Sequence, residues 1–155
     1  MISIEIPGKG TLQIKHVVLD YNGTIARDGE LLDTAADNIR RLCELVPVWV
    51  LTADTYGTVR QQCSGLGVEV KTFPREGAAA CKEEIVLSLG DGVCAVGNGF
   101  NDIPMFNAAA LSIAVLEKEG ICASLLTHAD ILVTSPEDAL ALLLQPNRLR
   151  ATLRT

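Results

Sequence analysis

Hydrophobic positions along this chain follow two rhythms that keep trading places. Ile2, Ile4 and Ile6 alternate with polar residues, Pro7-Gly8-Lys9-Gly10 turns the chain, and Leu12 and Ile14 alternate again, which predicts a β-hairpin over residues 1–15. Val17-Val18-Leu19 is a continuous apolar run that stops at a carboxylate, Asp20, and passes into Tyr21-Asn22-Gly23-Thr24 with its turn-forming Asn-Gly pair. Past the polar connection Arg27-Asp28-Gly29-Glu30, Asp33 or Thr34 can cap a helix that carries Ala35, Ile39, Leu42 and Leu45 at helical spacing. Pro47 stops that helix, and Val48-Trp49-Val50-Leu51 reads as a second buried strand ending at Thr52-Ala53-Asp54. The same alternation predicts a helix over 55–64, a strand over 68–72, a helix over 78–89 carrying Lys82, and a strand Val93-Cys94-Ala95-Val96 that runs into Gly97-Asn98-Gly99-Phe100-Asn101-Asp102. A short helix through Met105 and Phe106, a strand over 111–115, a helix near 121–126, a strand over 131–133 and a leucine-rich helix starting near Pro136 complete the pattern.

Short apolar runs alternating with helical patterns are the signature of a mostly parallel sheet covered on both faces. The expected fold class is therefore α/β, a three-layer Rossmann-like arrangement with an N-terminal hairpin. No repeat, low-complexity segment or linker interrupts residues 1–155, which read as one domain, with 146–155 as a frayed basic tail. In open α/β sheets ligands gather beyond the carboxyl ends of the strands. Polar residues fall there three times, at Asp20, at Thr52 and in the loop from Asn98 to Asp102, and Lys82 comes from a helix. Each alone is ordinary: an Asp that begins a turn, a Thr after a strand, a Lys on a solvated face.

Composition narrows the function. With 155 residues, 48% hydrophobic and 21% charged, the chain can bury a real core. A net charge of -6 disfavours nucleic acid or an anionic membrane as the main partner, while a local cluster of donors or a bound cation still admits a phosphate. No secretory leader or membrane-spanning run is expected, and the five cysteines, scattered without a C-x-x-C pair, read as buried thiols of a cytoplasmic protein without structural zinc. Gly97-x-Gly99 lacks the third glycine of a dinucleotide fingerprint and follows the wrong strand. Neither His16 nor His128 stands near a G-x-S-x-G serine, so a Ser-His-Asp site is not expected.

Together and in this order, the segments at Asp20, Val50-Leu51-Thr52-Ala53-Asp54-Thr55, Lys82 and Gly97-Asn98-Gly99-Phe100-Asn101-Asp102 resemble the four motifs of the haloacid dehalogenase-like (HAD) superfamily. The resemblance runs from Val17 to Leu144 and is nearest to the phosphorylation domain of P-type ATPases and its soluble relatives, down to Ala129-Asp130-Ile131-Leu132 for their A-D-I-V strand. It implies phosphoryl transfer. Asp20 would be the covalent nucleophile, Thr52 would donate to a phosphoryl oxygen, and Lys82 would supply positive charge. Gly23, Ala53 and Asn101 would complete the phosphate site. Mg²⁺ would be held by Asp20, the backbone carbonyl of Asn22, and the loop at Asn98 and Asp102.

Two positions depart from the family. Asn22 stands where phosphatases of this superfamily carry an Asp that protonates the leaving group and activates water, and an amide can do neither. Asn98 stands where the pattern places a metal-binding Asp, removing one formal charge from the cation site. The resemblance thus leaves open a slow Mg²⁺-dependent phosphohydrolase, a catalytically silent module that binds a phosphorylated ligand or a protein, and a plain structural subunit. Residues 25–51 leave room for a flap and one helix, so a capless member is expected, with a small or macromolecular phosphate as substrate. Leucines of the last helix, if exposed, would permit a homo-oligomer.

Overall fold

A computed structural model describes residues 1–54 and 57–155. Strand β1 (Ile2–Ile6) pairs antiparallel with β2 (Gly10–Ile14), the hairpin that the alternating isoleucines predict. The central sheet contains β3 (His16–Asp20), β6 (Val48–Thr52), β7 (Glu69–Thr72), β8 (Val93–Gly97), β9 (Leu111–Val115) and β10 (Ile131–Val133). Its six strands run in the order β10-β9-β8-β3-β6-β7, every pair parallel. A small antiparallel pair, β4 (Ala26–Arg27) and β5 (Glu30–Leu31), rises from the connection after β3. Asp28 and Gly29 between them both take positive φ, 52° and 82°, which matches a tight hairpin turn of the Asp-Gly type.

Period-two burial explains why the strands read as unbroken apolar runs. Val17 and Leu19 of β3 enter one core, with Cys94, Val96, Ile113 and the hairpin isoleucines. Val18 enters the other, with Ala95, Ala114 and Met105. Helices α1 (Asp33–Cys43), α2 (Thr58–Gln62), α5 (Pro136–Leu144) and α6 (Pro146–Leu153) contribute to the first core. Helices α3 (Ala78–Leu89) and α4 (Ile103–Ala108), with a 3-10 helix at Ala123–His128, contribute to the second. A sheet buried on both faces has no polar side to show.

Several boundaries differ from the sequence reading. Helix α1 has no side-chain cap from Asp33 or Thr34; its N-cap is Leu32, and Asp33 lies in the first turn. It tightens after Cys43, where the Leu45 amide bonds to the Leu42 carbonyl at 2.9 Å, so Leu45 swings outward and Val46 takes the inward place. The helix expected from residue 55 is described from Thr58, and positions 55 and 56 lie outside the described residues. The segment expected at 121–126 is a 3-10 helix two residues later. The supposed frayed tail is helix α6, started by Pro146 at a position that needs no amide, with Leu149 fully buried and Arg150 Nε donating to the Glu5 carbonyl at 2.9 Å. Its arginines had hidden an amphipathic pattern. The leucines proposed for self-association in α5 face the core: Leu140, Leu142 and Leu143 are buried and Leu144 is half-buried against them.

The sheet topology fixes where a ligand can go. From β3 the chain moves outward through β6 to β7, then returns to β8 on the other side of β3 and continues to β9 and β10. The direction reverses between β3 and β8, and the crevice outside the carboxyl ends at such a reversal is the usual binding place of an open α/β sheet. Asp20, Thr52 and the loop after β8 all sit at that end.

Candidate active site

Asp20 ends the central strand in a nearly closed environment, 8% exposed. Lys82 reaches it from the first turns of α3, with Nζ 2.8 Å from Asp20 Oδ1, 2.9 Å from Asn101 Oδ1 and 2.7 Å from Asp102 Oδ1. An ammonium has three protons and all three are used. The lysine is buried, so it is not the solvated helix residue its spacing allows. Thr52 closes the other side: its Oγ1 accepts from the Asp54 amide at 3.1 Å, which leaves the hydroxyl proton free to point into the cavity.

The loop after β8 is built around Asp102. This residue is fully buried, and its Oδ2 accepts the amides of Asn98 and Gly99 at 3.0 and 2.9 Å while Oδ1 holds Lys82. Gly97 is required beneath it, because a Cβ there would lie 2.6 Å from Asp102 Cγ. Asp102 therefore does not face the cavity; three of its roughly four acceptor positions are filled by the protein. Instead of standing beside a cation it braces Lys82 and shapes the loop. Gly23 is not among the residues lining the cavity, and its amide donates to the Ala26 carbonyl at 2.9 Å, closing the turn. Ala53 and Asn101 do line the cavity, which has a volume of about 410 Å³.

Asn22 is exposed at the mouth of this cavity, two residues beyond Asp20. The turn is closed by the Thr24, Ile25 and Ala26 amides on the Tyr21 carbonyl, at 3.1 to 3.3 Å, without recourse to the Asn22 carbonyl. Asn98 is oriented by its Nδ2, which donates to the Gly120 carbonyl at 3.1 Å, so its Oδ1 must face Thr24. Thr24 Oγ1 lies 3.2 Å from both Asn98 Oδ1 and Asp20 Oδ2. One hydroxyl proton cannot serve both at once, so two acceptor oxygens converge on one spot with a single donor between them. Thr24 was visible in the sequence but carried no assigned role; the only signal was its position four residues after the nucleophile candidate.

This donor set suits a hard, oxygen-seeking cation. Asp20 Oδ2, Asn98 Oδ1 and the Asn22 carbonyl supply oxygen only, and Mg²⁺ is commonly held by one carboxylate together with water and substrate oxygens. Among the described residues no group of three or more His, Cys, Asp or Glu side chains is gathered to hold a metal. With Asn98 neutral and Asp102 turned away, Asp20 is the single formal charge on the donor set.

Electrostatics single out Asp20. Burial and the neighbouring Asp102 carboxylate push its carboxyl up to about 7, against the pull of Lys82 and Thr24. Burial also disfavours the Lys82 ammonium, but the two carboxylates outweigh it and hold its pKa above the usual lysine value. Two acids around one cation leave one excess negative charge in a buried site. Two results are expected. Lys82→Met strands both carboxylates and should cost about 3–5 kcal/mol in urea unfolding, with part recovered in the double variant with Asp20→Asn. The folded Asp20 pKa, about 7 against 3.8 for the free side chain, means that the native state binds more protons than the unfolded state in that window. Metal-free protein should lose stability as pH rises from about 4 to about 7, by at most about 4 kcal/mol, and Asp20→Asn should flatten that slope. A wild-type curve parallel to that of the Asn variant would disprove the assignment.

The small β4–β5 hairpin, which follows the Asp20 turn, is tied down. Arg27 Nη2 pairs with Glu117 Oε1 at 2.8 Å, the Asp28 amide donates to Glu119 Oε2 at 3.3 Å, and the Tyr21 hydroxyl donates to the Gly29 carbonyl at 2.9 Å. A second cavity of about 290 Å³, lined by Asp54, Thr58 and Arg75 among others, adjoins the first through Asn22 and Ala53.

Comparison with other proteins agrees with this fold. No family model matches the chain. An uncharacterized protein of Methanocaldococcus jannaschii is 44% identical over 62 residues, spanning 40% of this chain and 67% of that protein; the two belong to one family. Among solved structures, the cobalt-bound deoxy-D-mannose-octulosonate 8-phosphate phosphatase of Haemophilus influenzae superposes with a TM-score of 0.73 at 16% identity, covering 93% of this chain and 95% of that one. The Moraxella catarrhalis 3-deoxy-D-manno-octulosonate 8-phosphate phosphatase, solved with magnesium, phosphate and its sugar, gives 0.72 at 14% identity, covering 91% and 94%. A Streptomyces avermitilis chain assigned to the HAD family hydrolases gives 0.66 at 20% identity, covering 83% and 81%.

Proposed function

From a chain with the haloacid dehalogenase-like fold, we propose a Mg²⁺-dependent phosphohydrolase that works through an aspartyl-phosphate on Asp20. The observation that carries this reading is the convergence on Asp20 of Lys82 and Thr24, the latter shared with the Asn98 amide oxygen, at the reversal point of the sheet. The phosphatases it resembles in fold act on phosphate esters, one of them solved with magnesium.

In this reading the phosphoryl group enters the cavity with phosphorus facing Asp20. Thr52 donates its hydroxyl and Asn101 its amide to phosphoryl oxygens, and the Lys82 ammonium compensates charge as the Asp20 oxygen attacks. Bound Mg²⁺ would neutralise charge on the phosphoryl oxygens and hold Asp20 ionised; its ligands would be Asp20, Asn98 and the Asn22 carbonyl. Asn22 brings no proton, so leaving groups that need protonation depart slowly and hydrolysis of the acyl phosphate lacks a side-chain base. P-type ATPase phosphorylation domains carry a Thr at that position, and by that resemblance the intermediate here is long-lived. In this reading the enzyme is cytoplasmic, where its five free thiols stay reduced, and it carries no more than the short β4–β5 hairpin in place of a cap domain.

The two amides at 22 and 98 favour a second reading, a silent module that binds a phosphorylated ligand or partner. Beryllofluoride separates the two. It mimics a phosphoryl group on a carboxylate, so with Mg²⁺ it should raise the melting temperature by roughly 5–10 °C at about 100 times its Kd, and neither component should do so alone. Loss of that shift in Asp20→Ala supports the phosphorylation site. Indifference of the wild type favours the module.

A further inference from the structure

Resting on the phosphohydrolase reading, we propose that the substrate is an aryl phosphate monoester, its ring packed against the apolar part of the cavity lining, Phe100, Phe73 and Ala78. Phe100 is 69% exposed. A single exposed aromatic side chain needs no explanation by itself. This one lines the same cavity as Asp20, and the two residues after it, Asn101 and Asp102, both hold Lys82. Its place relative to the phosphate site is therefore fixed by the loop that builds that site. Phe73 and Ala78 line the cavity too, Phe73 seated by its amide on the Thr52 carbonyl at 3.3 Å. Asp20, Lys82 and Thr52 give the cavity a buried polar cluster, and Phe73, Ala78 and Phe100 give it apolar surface beside Asn22 and Asn98.

A second, independent observation selects the same chemistry. Asn22 stands at the mouth of the cavity and cannot give a proton to a departing oxygen. An alkoxide leaves poorly without one, whereas a phenolate carries its own charge away because the ring stabilises it. In the first step an Asp20 oxygen forms a bond to phosphorus, the phosphorus–phenolic oxygen bond breaks, and the phenolate leaves with that electron pair and takes a proton from solvent. In the second, water attacks phosphorus, the bond to Asp20 breaks with its electron pair returning to the carboxylate, and the water's proton passes to solvent or to the released phosphate. No oxidant, reductant or further reactant is needed.

Three substrates and two variants test this with the full chain and Mg²⁺. Acetyl phosphate has a good leaving group and no ring, phenyl phosphate has a ring, and ethyl phosphate has neither. Wild type should turn over acetyl and phenyl phosphate and leave ethyl phosphate nearly untouched. In Phe100→Ala the ratio of kcat/KM for phenyl over acetyl phosphate should fall roughly tenfold, mainly through KM, and Phe100→Tyr should restore it. Because the ring is exposed, its truncation should leave folding intact, which circular dichroism checks. An unchanged ratio in Phe100→Ala, or turnover of acetyl but not phenyl phosphate, overturns the aryl assignment while the phosphohydrolase stands. Failure on acetyl phosphate as well overturns both.

Discussion

Asp20→Ala should reduce Mg²⁺-dependent phosphate release from phenyl phosphate by about 10⁴-fold or more, to the solution background. No other group can take over. Among the described residues lining the cavity, Asp20 is the only carboxylate, since Asp102 is enclosed by Lys82 and two backbone amides. Thr52 has its oxygen engaged by the Asp54 amide, and an unassisted hydroxyl is a far weaker nucleophile. Asp20→Asn should behave alike in activity but differently in stability, because it keeps the shape and removes a charge from a site that holds one too many. Single-turnover assays with labelled phenyl phosphate should trap an acid-stable phosphoprotein in wild type and none in either variant. Residual release equal to wild type would remove Asp20 from the chemistry.

Asn22→Asp should raise turnover of ethyl phosphate by roughly 10²–10⁴-fold, the usual worth of a positioned general acid. The gain should be small for acetyl phosphate, whose acetate leaves without help. Residue 22 is exposed at the cavity mouth, so the new carboxyl stays solvated and costs little in folding. Its signature is a pH–rate profile that gains an alkaline limb, because the acid must be protonated to act in the first step. Unchanged ethyl phosphate turnover would mean that leaving-group protonation is not what limits this site.

Much of this was legible in the sequence because strands buried on both faces leave a plain mark. Val17-Val18-Leu19 and Val93-Cys94-Ala95-Val96 are apolar without interruption since each neighbouring residue enters a different core. The α3 boundaries could be read because Gly77 and Gly90 bracket the helix at positive φ, 75° and 83°. The resemblance singled out Lys82 and Asp20, which the fold brings together, but not what braces the lysine. That Asp102 braces the lysine and does not face the cavity depends on a 3-10 turn at Phe100–Asp102, which folds the carboxylate back on the Asn98 and Gly99 amides. Nothing in a one-dimensional motif distinguishes an acid that turns inward from one that faces the cavity. Helix α6 was missed for a related reason: three arginines in a short segment outweigh the two leucines that dock it. Phe100 has no role of its own in the sequence reading, because exposure is a property of the fold.

The two amides at residues 22 and 98 look equivalent in the sequence, yet the fold gives them unequal freedom to change. Asn22 is exposed, and the turn that carries it is closed by other groups. Asn98 uses its Nδ2 to hold the Gly120 carbonyl, and its own carbonyl accepts the Cys122 amide at 2.9 Å. A carboxylate at residue 98 would set oxygen against oxygen at Gly120, so Asn98→Asp would gain cation affinity only by loosening the chain there. One substitution is a door that swings both ways; the other is a ratchet, and recovering the charge requires a compensating donor near Gly120 first.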